Sequence, residues 1–152
     1  MEKIEENISK GLKLFGTKKS KQIDRHISEK ETPSFVFMMR AANAAKKFLI
    51  FRNAKSVTIF AGKGNNGEDG FCLAALLKIE NISVEIIDLI YKDRVKTKSV
   101  KLCDYLGVIR KRFNLNKIKN TDWYVDAIIG TGLSRELKGN FLKASRFLSS
   151  TK

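Results

Sequence analysis

The feature that most constrains the fold is an apolar run, a cluster of glycines and a second apolar run between residues 57 and 79. Val57–Ala61 is short and rich in β-branched residues, which predicts a buried strand. Phe71–Ile79 is rich in alanine and leucine and predicts a helix packed on a sheet. Between them lies the glycine segment, residues 62–70, with Gly62, Gly64, Gly67 and Gly70. This density of glycine is expected to break regular structure and to form a loop.

A strand, a glycine-rich loop and a helix N-terminus in this order predict a binding site. Free backbone N–H groups converge at such a turn, and glycines let a ligand approach the main chain. Gly62–Gly67 fits G-x-G-x-x-G, and Asp88 ends the next apolar run where a ribose-binding carboxylate would lie in an ordinary dinucleotide site. Glu68 and Asp69 argue against that interpretation, because two carboxylates at the start of the helix would repel a pyrophosphate.

Two further interpretations of the glycine segment stay open. It is either a structural loop with acids in a favourable first helical turn, or a site for a small ligand or a hard cation. In the second case the oxygens and amides come from Asn65, Asn66 and Asp69.

The rest of the chain alternates helices and strands. The predicted elements are a helix at 35–51, a strand at 83–90, a basic helix at 97–106 closed by Gly107, a short strand at 108–113, a central strand at 123–129 and a helix at 139–148. Such alternation predicts a three-layer α/β/α Rossmann-like sandwich with a mostly parallel sheet. Ligands of such folds bind beyond the carboxyl ends of the strands, where the glycine segment and the turn at Gly130 both lie.

Asp126 interrupts an apolar strand and therefore needs an explanation. A buried carboxylate is costly unless it is paired or binds a cation. The simpler alternative is that Asp126 accepts backbone N–H groups from residues 130–133.

Two long motifs resemble one known family. Gly62-Lys-Gly-Asn-Asn-Gly-Glu-Asp-Gly70 is similar to the G-P-G-N-N-G-G-D-G loop of the NAD(P)H-hydrate epimerases, the YjeF N-terminal domain family. Tyr124-Val-Asp-Ala-Ile-Ile-Gly-Thr-Gly-Leu-Ser-Arg135 resembles that family's V-D-A-x-x-G-T-G-L-x-R segment. The chain departs from the family at Lys63, where proline is usual, and at Glu68, where glycine is usual.

The resemblance implies a set of site residues and a cofactor. Asn66 and Asp126 would coordinate a potassium ion, whose preference for oxygen ligands suits an amide and a carboxylate. The residues implied in binding the substrate, hydrated NADH or NADPH, are Asn65, Asn66, Gly67, Glu68, Asp69, Gly130, Thr131, Gly132, Leu133, Ser134 and Arg135.

The resemblance also implies a reaction, the interconversion of the R and S epimers of hydrated NAD(P)H in the repair of nicotinamide nucleotides. A third family block, V-D-I-P-S-G-L-D, carries the catalytic aspartate, and nothing in this sequence matches it. We therefore expect the family fold, incomplete at its C-terminal end, with ligand loops present and the catalytic residue unknown. Whether the chain is a fragment or a shortened homologue stays open, and a non-catalytic nucleotide-binding or scaffold module is the alternative.

The charge of the chain leaves a second alternative. The sequence holds 30 Lys and Arg against 16 Asp and Glu, a net charge of +14. Ten of these cations lie between Lys92 and Lys119, which allows anion or nucleic-acid binding through a basic 92–119 face. The segment lacks the interleaved aromatic residues of single-strand binders, so a solvated surface is favoured and nucleic acid is not the expected partner.

The remaining features concern organisation and compartment. Residues 1–20 are polar and predict a lead-in to a domain at 21–152. No run of eighteen apolar residues occurs, so no membrane segment is predicted, and the charged N-terminus does not resemble a secretory signal. Two isolated cysteines, Cys72 and Cys103, are typical of reduced structural thiols in a cytoplasmic protein. The family resemblance allows a homodimer, and the sequence does not decide whether a dehydratase domain is linked to it.

Overall fold

The computed structural model describes residues 34–130 and 136–151 of the chain. The elements in order are α1 (Ser34–Phe51), β1 (Ser56–Ala61), α2 (Asn65–Ile79), β2 (Ser83–Asp88), α3 (Lys98–Tyr105), β3 (Ile109–Arg112), a 3₁₀ turn (Leu115–Lys117), β4 (Trp123–Ala127) and α4 (Gly139–Ser150). All belong to one compact unit, Pro33–Lys152. The predicted boundary between residues 20 and 21 lies outside the described residues.

The four strands form a parallel sheet in the order β3-β2-β1-β4. Ala61 at the end of β1 pairs with Asp88 of β2 and with Ala127 of β4. The segments that follow these three strands therefore leave the sheet side by side, at what we call the carboxyl edge. The predicted α/β class and parallel sheet are confirmed, but the prediction that β4 is central is wrong, because it lies at the edge of the described sheet.

Helices cover both faces of the sheet, as the alternating pattern predicts. On one face α1, α2 and α3 pack against the larger core, which includes Ile59 and Ile86. On the other face α4 packs against a smaller core that includes Phe60 and Ile87. Neighbouring residues of one strand thus enter opposite cores, which is the alternation expected of a sheet buried on both sides. In the part of the chain that is described, no helix is long and apolar enough to cross a membrane.

The start of α2 differs from the sequence prediction. The helix begins at Asn65 rather than at Phe71, so most of the glycine segment is helical. Gly64 caps it with φ 82°, a conformation that favours glycine. Gly67 and Gly70 serve close packing instead: a Cβ on Gly67 would lie 2.0 Å from Gly62 O, and one on Gly70 would lie 2.8 Å from Ala127 Cβ. The composition predicts a loop here, because the sequence alone does not distinguish glycines required for close packing from glycines required for turns.

Other boundaries follow the local sequence closely. Thr97 caps α3, its side chain accepting a hydrogen bond from Val100 N, and Gly107 follows the helix with φ 66°. The predicted loop between β3 and β4 contains a short 3₁₀ turn capped by Asn114. These caps are residue types whose preferences are local, so their positions could be predicted.

Candidate functional site

The two segments that carry the family motifs touch each other at the carboxyl edge. Gly62 N donates a hydrogen bond to Ala127 O at 2.9 Å. A Cβ on Gly62 would lie 1.8 Å from Ile128 O, so only glycine allows this approach of the two backbones. Farther along, a Cβ on Gly130 would lie 3.5 Å from Asn66 Cβ, which places the start of α2 beside the segment after β4. The structure thus brings together two regions that are more than sixty residues apart in sequence.

The predicted substrate residues fall into two groups. Asn65, Asn66, Gly67, Glu68 and Asp69 form the first turns of α2, where Asn65 is exposed, Asn66, Glu68 and Asp69 are half-buried and Gly67 is buried. Gly130 is exposed beside them. The remaining five predicted residues, Thr131, Gly132, Leu133, Ser134 and Arg135, lie outside the described residues.

Asp126 differs from the prediction of a buried carboxylate. It lies near the end of β4 and is exposed, although its neighbours Ala127 and Ile128 are buried. Its Oδ1 accepts a hydrogen bond from Ile128 N at 2.9 Å, a turn closed two residues later instead of the expected bonds from residues 130–133. An edge strand has one side open to solvent, which explains why a charge is tolerated in this apolar run.

Glu68 is held by side chains of the next helix rather than by the loop. Its Oε2 accepts hydrogen bonds from the hydroxyls of Thr97 and Ser99, at the start of α3. Its Oε1 lies 3.6 Å from Arg94 Nη1. These contacts give the side chain a structural role between α2 and α3, a role that the prediction of substrate binding did not include.

Arg94 is the residue that sequence reasoning missed. Its guanidinium donates through Nη2 to Asp88 Oδ1 at 2.8 Å and to Gly62 O at 2.7 Å, and through Nε to Asp88 Oδ2 at 3.2 Å. The side chains of Arg94 and Asp88 are 2% and 0% exposed, so this ion pair is fully buried. Arg110 adds a weaker contact to Asp88 at 3.5 Å. We call Arg94, Asp88, Glu68 and Arg110 the arginine network.

The arginine network removes the observation that favoured an ordinary dinucleotide site. That interpretation needs a free carboxylate at the end of β2 to accept a hydrogen bond from a ribose. Asp88 occupies this position, but its two oxygens are hydrogen-bonded to Arg94, and Ile90 N also donates to Oδ1 at 3.0 Å. Asp88 therefore stabilises the loop.

The basic 92–119 face is partly a consequence of the same packing. Arg110 and Arg112 lie over the ring of Tyr91, at 4.7 and 5.3 Å from its centroid. Lys111 pairs with Glu85 at 2.5 Å, and Lys96 pairs with Asp104. Together with Arg94, five of the ten cations in this segment are thus engaged within the fold. The structure favours neither a wholly solvated surface nor a continuous face of free cations.

The two cysteines are buried and unpaired in the described fold. Burial, with smaller effects from Asp69 and Glu68, raises the pKa of Cys72 to about 12. Burial also raises the pKa of Cys103 to about 12, and its Sγ donates to Phe71 O at 3.1 Å. Both thiols are therefore protonated and inert, as the sequence predicts.

Comparison with known proteins gives the same family as the motifs. A family model described as YjeF-related protein N-terminus matches residues 34–152. An NAD(P)H-hydrate epimerase of Levilactobacillus brevis is 37% identical over 117 residues, which cover 74% of this chain and 54% of that protein. One from Oenococcus oeni is 31% identical over 134 residues, covering 84% of this chain and 63% of that protein. The chain thus spans somewhat more than half the length of these relatives.

The fold agrees with a solved structure of the same architecture. The crystal structure of yeast ynu0, YNL200c, superposes with a TM-score of 0.78 at 21% identity, over 90% of this chain and 65% of that one. At this identity the likeness concerns the fold alone. The family match covers most of the sequence and includes both motifs of the carboxyl edge. The chain therefore belongs to the YjeF-related N-terminal domain family.

Proposed function

We propose that the chain acts in the interconversion of the R and S epimers of hydrated NADH and NADPH. The observation that carries the proposal is the contact of the two family motifs at the carboxyl edge, where Gly62 N donates to Ala127 O and Asn66 lies beside Gly130. Relatives named NAD(P)H-hydrate epimerase support the same activity. The substrate would bind beyond the strand ends, as ligands do in open α/β sheets.

Substrate binding is assigned to the start of α2 and to the segment after β4. Asn65, Asn66 and Asp69 offer amide and carboxylate groups for the ribose and ring amide of a dinucleotide. Gly130 is exposed and leaves the surface beside Asn66 free of a side chain, while Gly67 lets the start of α2 pack closely on Gly62. We propose that Thr131–Arg135 bind the phosphates of the nucleotide. Glu68, held by Thr97 and Ser99, is proposed to shape the site without contacting the substrate.

A potassium ion would be held by Asn66 and Asp126. The donor set fits this ion, because both side chains offer oxygen atoms, and Asp126 is exposed with its backbone contact made through Oδ1. Among the described residues no group of three or more His, Cys, Asp or Glu could hold a metal, which disfavours a zinc-type site there. When bound, the ion would supply positive charge near the negatively charged parts of the substrate.

The chemistry required is loss and return of the hydroxyl group on the hydrated nicotinamide ring. In this step the chain's own residues bind the nucleotide, orient the ring and exclude water from one of its faces. A general acid would protonate the departing hydroxyl and later remove a proton from the returning water. We assign that role to no residue in the described ranges.

The test is NADH-hydrate epimerisation by the purified chain, with and without potassium. We expect turnover above the spontaneous rate that rises with potassium and is lost in Asp126→Ala. Asp122→Ala is the matched control, since it removes an exposed aspartate at the opposite end of β4. Potassium-dependent binding of the hydrate without turnover would instead indicate a non-catalytic module. The absence of both binding and turnover would refute the proposal.

A further inference from the structure

The arginine network is joined to the backbone of the glycine segment. Arg94 Nη2 donates to Gly62 O at 2.7 Å and lies 3.3 Å from Ala61 O, so one guanidinium nitrogen reaches two successive carbonyl groups. The Gly62 carbonyl is also covered by the start of α2, because a Cβ on Gly67 would lie only 2.0 Å from it. The direction of this carbonyl is thus fixed by a buried cation on one side and by a helix on the other.

The direction of one carbonyl fixes the direction of the next N–H group. In a trans peptide the C=O of one residue and the N–H of the following residue point in opposite directions. No cis peptide bond occurs among the described residues. Because Gly62 O points toward Arg94, the N–H of Lys63 points away from the buried network, and Lys63 itself is exposed. Within the described ranges this N–H donates no hydrogen bond.

We infer that Arg94 is a positioning residue for the proposed substrate site, and that it acts by aiming the Lys63 N–H at an acceptor oxygen of the nucleotide. The inference rests on the proposed function for the identity of that ligand. The Arg94 side chain is 2% exposed, so it acts through the Gly62–Lys63 peptide and not by contact with the substrate. Neither family motif includes Arg94, and its role follows from its contacts alone.

The surroundings of Arg94 hold the guanidinium in one orientation. Asp88 receives two of its hydrogen bonds, and Glu68 lies 3.6 Å from the remaining nitrogen. The ring of Phe71 stacks on the guanidinium, with its centroid 4.9 Å from Cζ. A planar fork with five donors satisfies all these partners at once, whereas the single ammonium group of lysine cannot. Arg94→Lys therefore keeps the buried charge but loses the hold on Gly62.

The test compares Arg94→Lys with Arg110→Lys. Arg110 also contacts Asp88, at 3.5 Å, but its guanidinium lies over Tyr91 and not against the glycine segment. Both variants keep the charge and weaken the hold on Asp88, through two hydrogen bonds in Arg94→Lys and one 3.5 Å contact in Arg110→Lys, but only Arg94→Lys removes the contact to Gly62. In steady-state NADH-hydrate epimerisation we expect Arg94→Lys to raise KM roughly tenfold with kcat unchanged within about twofold. Arg110→Lys is expected to change neither constant by more than about twofold.

A second measurement keeps this inference separate from the proposed function. Backbone amide NMR spectra of the ligand-free protein report the peptide between Gly62 and Lys63 directly. We expect the Lys63 resonance to move in Arg94→Lys and to stay in place in Arg110→Lys. If wild type neither binds nor turns over the hydrate, the proposed function fails, and this spectrum alone decides whether Arg94 orients the peptide. Equal effects of the two variants, on KM or on the Lys63 resonance, would overturn the inference.

Discussion

The two ends of strand β1 are tied to the sheet by acids in opposite surroundings. At the amino end the exposed Asp122 accepts hydrogen bonds through Oδ2 from Lys55 N at 2.7 Å and Ser56 N at 2.9 Å. At the carboxyl end the buried Asp88 acts through Arg94, which donates to Gly62 O. Both acids fix backbone groups beside β1, but Asp122 remains hydrated whereas Asp88 and Arg94 are buried away from water.

The difference shows where the fold uses an expensive interaction. An exposed carboxylate keeps much of its hydration, so removing it lowers the free energy of unfolding only slightly. A buried ion pair must satisfy every donor and acceptor, and removing one partner leaves an uncompensated charge. The buried Asp88–Arg94 ion pair lies at the end where the proposed ligand binds and where the direction of each peptide group matters. The exposed hydrogen bonds to Asp122 lie at the end where the strand only has to be joined to its neighbour.

The largest effect is expected from breaking the buried ion pair. Arg94→Ala leaves Asp88 and Glu68 without their shared cation, which should lower the free energy of unfolding by about 3–5 kcal/mol. Urea denaturation monitored by circular dichroism measures this change. The control is Arg52→Ala, which removes an exposed arginine stacked on Phe48 and should cost less than about 1 kcal/mol. Similar losses of stability in both variants would mean that the buried Arg94 stabilises the fold no more than the exposed Arg52 does.

The next effect concerns the close approach of the two loops at the same end. Gly62→Ala places a Cβ 1.8 Å from Ile128 O and should destabilise the protein by about 1–3 kcal/mol through forced backbone movement. Gly130→Ala is the matched control, because its Cβ would meet Asn66 Cβ at an ordinary 3.5 Å. Thermal unfolding of the two variants measures the difference. Equal melting temperatures would show that the two backbones are not in contact.

A smaller effect is expected from the acid that joins α2 to α3. Glu68→Ala removes the acceptor for Thr97 and Ser99 and should cost about 1–2 kcal/mol. Glu80→Ala removes an exposed carboxylate whose only described partner is the half-buried Lys46, and it should cost about 0–1 kcal/mol. Chemical denaturation of both variants compares a half-buried acid with an exposed one. A larger loss in Glu80→Ala would contradict the structural role of Glu68.

The smallest effect is the pH dependence of the exposed hydrogen bonds to Asp122. Hydrogen bonds from Lys55 N and Ser56 N hold the pKa of Asp122 below its ordinary value of 3.8. A lowered folded-state pKa means that the ionised carboxylate adds stability at neutral pH, and that this stability is lost as pH falls through the folded pKa. Asp122→Asn should therefore flatten the decrease in melting temperature below about pH 5. An unchanged acid profile would show that other carboxylates dominate it.

Much of the fold could be predicted from local patterns. The apolar runs predict β1 and β2, and Thr97 and Gly107 bound α3 because capping preferences act within a few residues. The start of α2 could not be predicted, because Gly67 and Gly70 are required by contacts with Gly62 and Ala127 that form only in the folded chain. The edge position of β4 depends on the order of the strands, which hydrophobic periodicity does not encode.

The site was predictable in outline but not in its support. The motifs place Asn66 and Gly130 at strand ends, and the structure brings them together. The sequence places Arg94 among the cations of a basic surface, because no local pattern distinguishes a buried arginine from a solvated one. The sequence likewise allows Asp88 to be a ribose ligand, because its partner Arg94 lies six residues away across a loop. The prediction of potassium at Asn66 and Asp126 remains a prediction.

The buried thiols have a consequence for handling and for cellular chemistry. Burial raises the pKa of both cysteines to about 12, so near neutral pH each holds far less thiolate in the fold than in the unfolded chain. Alkylating reagents and peroxide, which attack thiolates, should therefore modify the protein only when the α2–α3 interface opens. The rate of cysteine modification therefore measures how often that interface opens. Oxidative damage would then be concentrated in molecules that have already lost their native packing.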